Sequence, residues 1–80
     1  MTSTATPHPN PAADVRLALL LDAAAEFADL TASFAISARE AASRGWVQGA
    51  RWHSMQVREC AIELLKTTRE ATEMLGGRNG

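Results

Sequence analysis

Residues 38–50 read Ala38-Arg39-Glu40-Ala41-Ala42-Ser43-Arg44-Gly45-Trp46-Val47-Gln48-Gly49-Ala50. Gly45 stands between two long stretches of helix-favouring residues, at a point where the left-handed backbone of a helix C-terminus is needed. Glycine adopts that backbone without steric cost. The segment therefore predicts one helix ending near Arg44 and a second starting near Trp46 or Val47. A connection this short between long helices sets them antiparallel.

On the amino-terminal side, Asn10 and Pro11 read as an N-cap and a first helical position, where proline's missing N–H costs nothing. The first helix is predicted from about 11 to 44. Leu17, Leu20, Ala24, Phe27, Leu30, Phe34, Ala38 and Ala41 recur at steps of three or four and form its apolar stripe. Leu21, Ala28, Ala35 and Ala42 widen that stripe on one side. Asp22, Glu26, Asp29, Ser33 and Glu40 fall mainly opposite.

On the carboxyl side, the second helix is predicted from about 47 to 75, closed by Gly76 and Gly77. Its stripe runs through Trp46, Ala50, Val57, Ala61, Leu64, Thr68 and Leu75, with Cys60, Leu65 and Ala71 on its flanks. Glu63 with Lys66, Lys66 with Glu70, and Arg69 with Glu73 have the spacing of intrahelical ion pairs. Residues 1–10, rich in Thr, Ser and Pro, read as a disordered lead-in, and 77–80 as a frayed tail.

Composition agrees with an all-α chain. There are 16 Ala, no Tyr, and only five Val and Ile together. Strands want the β-branched and aromatic residues that are scarce here. Eighty residues make one small domain whose core is marginal by itself. The single cysteine excludes an internal disulfide and fits a reducing compartment. Residues 1–11 carry neither the basic nor the apolar segment of a signal peptide, and no apolar run approaches a membrane span. A cytoplasmic, non-membrane protein is expected. The net charge of −1 gives no global attraction to nucleic acid.

Chemical constellations are weak. Cys60 and His53 lie seven residues apart on one helix, about 10 Å along its axis, beyond a direct hydrogen bond. Asp22, Glu26 and Asp29 form an acidic column and Glu59 with Glu63 a second pair. A carboxylate-bridged metal site in a helical bundle also needs Glu-x-x-His, which is absent. No catalytic residue, metal ligand, cofactor or small-molecule substrate is expected. In layout the chain resembles WXG-type helical hairpins, which place Trp-x-Gly in the turn. Here Trp46 and Gly49 are one residue further apart, and the Tyr-based signal that often follows the second helix in those proteins has no counterpart.

Two helices side by side cover only part of each other's apolar surface. Leu17 to Leu21 point in several directions, while Trp52, Met55 and Ile62 lie away from the second stripe. The expected function is a non-enzymatic protein–protein interaction module, such as a small regulator, adaptor or inhibitor. It would act as a homodimer, forming a four-helix bundle, or with another protein. The interface residues are expected to be Leu17, Leu20, Leu21, Phe27, Trp52, Met55 and Ile62. The alternative is a nucleic-acid-binding hairpin. Segment 39–58 carries Arg39, Arg44, Arg51 and Arg58 against Glu40 alone, interleaved with Trp46, Trp52 and His53. Arg44, Arg51, Trp52 and Arg58 would then contact phosphates and bases.

Overall fold

The computed structural model describes residues 11–79, with side chains described through Gly76. It is a two-helix hairpin: α1 spans Pro11–Ser43 and α2 spans Val47–Asn79. The expected disorder of residues 1–10, the Asn10 cap and the end of the tail at Gly80 lie outside the described residues.

The turn is built by backbone bonds that close α1 as a Schellman motif. Trp46 N donates to Ala41 O at 2.9 Å and Gly45 N to Ala42 O at 3.0 Å. Gly45 supplies the left-handed residue, at φ 75°. Ala41, in the last turn, is only 1 % exposed. The apolar contact that usually accompanies this motif pairs its position with that of Trp46. Trp46 O then accepts from Ala50 N at 2.9 Å and starts α2.

The far end of α2 differs from expectation. The helix passes through Gly76 and Gly77 to Asn79 instead of closing after Leu75. Among the described glycines only Gly45 has the positive φ that ends a helix. A glycine that keeps helical φ weakens the helix without stopping it.

The residues turned inward follow a strict seven-residue repeat. In α1 they are Ala13, Leu17, Leu20, Ala24, Phe27, Thr31, Phe34, Ala38 and Ala41, at alternating steps of four and three. In α2 they are Ala50, His53, Val57, Cys60, Leu64, Thr67, Ala71 and Met74. This repeat keeps one stripe facing a neighbouring helix along many turns, whereas a 3.6-residue stripe drifts away. The drift accounts for the differences from the predicted stripes. Leu30, Leu65, Leu75 and Trp46 are exposed, and Thr31, His53, Thr67 and Met74 take inward places. The inward threonines satisfy their hydroxyls within their own helices. Thr31 Oγ1 donates to Phe27 O and Thr67 Oγ1 to Glu63 O, both at 2.7 Å.

The core is thin. Its buried hydrophobic residues are Ala24, Ala41 and Ala71, and no large side chain is fully buried among the described residues. Small residues at the seam allow close helix approach but remove little apolar surface from water. No described helix is long and apolar enough to cross a membrane.

Candidate interaction surface

The expected interface residues divide into two groups. Leu17, Leu20 and Phe27 are half-buried in the seam between α1 and α2, where they hold the hairpin together. Leu21, Trp52, Met55 and Ile62 are exposed, at 48, 52, 57 and 38 %. Trp52 and Met55 line a common hollow with Gln48 and Arg51, and Leu21 lies apart from them. Leu21 flanks the α1 seam on one side. Trp52 flanks the α2 seam on the other, while Met55 and Ile62 form the outer edge of α2, away from α1.

Trp52 belongs to an aromatic cluster near the turn. Its ring meets Phe34 edge-on at 5.9 Å between centroids, and His53 at 5.1 Å. Trp46 meets His53 at 6.4 Å, again edge-on. Such geometries match the positive edge of one ring with the negative face of another. Gly49 lets the Trp46 ring lie on the first turn of α2, since a Cβ there would collide with the ring. A shallow hollow of about 400 Å³ opens between Trp46, Gln48, Gly49, Trp52 and His53. His53 Nδ1 is buried there without a hydrogen-bond partner. Cys60 is a half-buried free thiol. Among the described residues no three His, Cys, Asp or Glu side chains gather at metal-binding distance.

Arg44, Arg51 and Arg58, the remaining residues of the nucleic-acid expectation, are exposed. Arg51 and Arg58 are seven residues apart and share one side of α2. The Trp52 ring packs edge-on against Phe34 and His53 and remains exposed beside Arg51. Arg51 and Trp52 line one shallow hollow with Gln48 and Met55, while Arg58 lies further along α2 and Arg44 in the turn.

The seven-residue repeat gives the hairpin two unlike broad faces. The residue after each inward position lies about 100° further round its helix. In α1 these are Ala18, Leu21, Ala25, Ala28, Ala32 and Ala35, continued by Arg39 and Ala42, and all are exposed. In α2 one row is Val47, Ser54, Ala61, Thr68 and Leu75, and a second is Arg51, Arg58, Leu65 and Thr72. Both helices are right-handed and they run antiparallel. A turn of the same sense from the shared seam therefore brings both sets to one side of the hairpin.

This side is apolar and small-residue-rich, with Leu21 beside Leu65 towards the open end. Its charged members are Asp14 near the start of α1 and Arg39, Arg51 and Arg58 towards the turn. Thr68 gives its hydroxyl to Leu64 O at 2.8 Å, inside its own helix. The opposite side carries Glu26, Glu40, Glu59, Glu63, Glu70 and Glu73, with Arg16 and Lys66. There Arg16 pairs with Glu70 across the helices, and Lys66 lies 3.4 Å from Glu63. Sequence reasoning found the row Leu21, Ala28, Ala35, Ala42 as a broadening of the stripe. It missed the outer row Ala18, Ala25, Ala32 and the matching rows of α2. The signal was present as a second seven-residue repeat displaced by one position.

No protein-family model matches the chain, and no curated protein or solved structure does so either.

Proposed function

We propose that this chain is a non-enzymatic protein–protein interaction module, a small cytoplasmic regulator, adaptor or inhibitor, that acts as a homodimer. One observation carries the reading. No large side chain is fully buried among the described residues, while twelve large hydrophobic side chains are exposed. A hairpin with so little core gains more from covering apolar surface than from remaining alone. Pairing two hairpins into a four-helix bundle provides that cover.

Light scattering coupled to size exclusion tests this directly. The expected mass at micromolar concentration is twice the 8.6 kDa of the chain. A mass of one chain across the micromolar range, with helicity intact, overturns the homodimer. Salt-sensitive retardation of RNA or DNA, lost when Arg44, Arg51 and Arg58 are replaced together, would favour the nucleic-acid alternative instead.

A further inference from the structure

A second copy has two broad faces of the hairpin on which to sit. The two broad faces of the hairpin are not equal candidates. The side bearing the six glutamates has only Arg16 and Lys66 to balance them, so two copies pairing through it would be opposed by the net negative charge on each. The opposite side is uncharged from Ala18 to Ala35 in α1 and from Ala61 to Leu75 in α2. Each helix is about 50 Å long, so this face offers on the order of 800 Å² per copy, the size of a stable interface.

Two copies meeting through this face have two symmetric choices. A two-fold axis along the hairpin places α1 over the partner's α2 with both turns at the same end. Arg39 then lies over the partner's Arg51, and Leu21 over the partner's Leu65, so arginine meets arginine and bulk meets bulk. A two-fold axis across the hairpin instead places α1 on α1 and α2 on α2, with the turns at opposite ends. Centred on Ala28 and Ala61, which lie level to within a turn, this choice sets Leu21 opposite the partner's Ala35. It also sets Leu75 opposite the partner's Val47, and brings Arg39 to the partner's Asp14 end. Leu21 then faces a small side chain, Leu75 meets Val47 in an apolar contact, and Arg39 approaches Asp14 instead of another arginine.

We propose that a second copy of this chain seats on the alanine-rich face in antiparallel orientation, α1 against α1 and α2 against α2, with Ala28 meeting the partner's Ala28. This rests on the homodimer reading and specifies its interface. At the two-fold axis only methyl groups separate the α1 helices. Their axes approach to the close end of the ordinary helix-packing range, about 8 Å.

The test is site-directed disulfide formation in the full chain carrying Cys60→Ser. Ala28→Cys is expected to give a covalent dimer on mild oxidation, because the facing Cα atoms come within disulfide reach. Val15→Cys, on the outer edge of α1, is expected to remain a single chain on a non-reducing gel. Ala28→Arg, at an exposed position of a helix, should keep the helicity and raise the dimer Kd by about 100-fold, whereas Val15→Arg should leave it unchanged. If light scattering shows a dimer but Ala28→Cys does not cross-link, this orientation is wrong while the homodimer reading stands. Cross-linking of Ala28→Cys only when mixed with Ala61→Cys chains identifies the parallel arrangement and overturns the proposal. A monomer by light scattering removes both.

Discussion

Gly45 and Gly49 do different work four residues apart. Gly45 supplies the left-handed φ of 75° that lets Trp46 N reach back to Ala41 O. Gly45→Ala would force a Cβ into that conformation and is expected to cost about 1 kcal/mol, lowering Tm by roughly 4–8 °C in a domain of this size. Gly49 is helical and matters for the space above it, which the Trp46 ring fills. Gly49→Ala is expected to lift that ring off α2. A red shift of Trp46 emission, measured in a Trp52→Phe background, reports the movement, and an unchanged spectrum contradicts it. His53 sits in the inward repeat with Nδ1 buried and unpartnered. Phenylalanine keeps the ring contacts and removes the orphaned nitrogen, so His53→Phe should raise stability by about 1 kcal/mol in thermal unfolding.

Each helix has 33 residues, and their pairing depends on small residues at the seam. Ala41 and Ala71 are almost fully covered, at opposite ends of the contact. Either one replaced by leucine would wedge the helices apart, at a cost of about 1–3 kcal/mol. An Ala71→Leu chain that melts at the wild-type temperature would show that the helices do not depend on that close approach. The start of α1, the turn and the helix directions were legible in the sequence because proline and glycine chemistry is local, but the end of α2 was not, since Gly76 and Gly77 stay helical. The packed stripe was only partly legible. Leu30 is more hydrophobic than Thr31, yet Thr31 faces α2 and Leu30 faces out. The partner helix selects the seven-residue repeat, and Thr31 can accept that place because its hydroxyl bonds Phe27 O.

At the scale of the molecule, folding and association are expected to be linked. A homodimer that buries the alanine-rich face makes Tm depend on protein concentration, rising as the chain is concentrated. Thermal unfolding across a hundredfold dilution checks this, and a constant Tm argues for a hairpin that folds alone. The exposed large apolar groups are spread more widely than the charges: Leu21, Val47, Leu65 and Leu75 lie on the alanine-rich side, while Leu19, Leu30 and Trp52 lie among the glutamates. Six glutamates occupy one broad side, and the other carries three arginines near the turn. The expected site residues Leu21, Trp52, Met55 and Ile62 were placed by helical angle on single helices, which does not say how the two helices share a face. Only one of them, Leu21, lies on the face that the charges leave open.

The sequence by itself determined two helices, their antiparallel order and the position of the turn. Those follow from backbone preferences acting within a few residues of Pro11 and Gly45. The tertiary structure decided which residues face inward and which side the glutamates share. Both depend on a second helix that stays in register over many turns, and the seven-residue repeat becomes a seam only when that helix is present to read it.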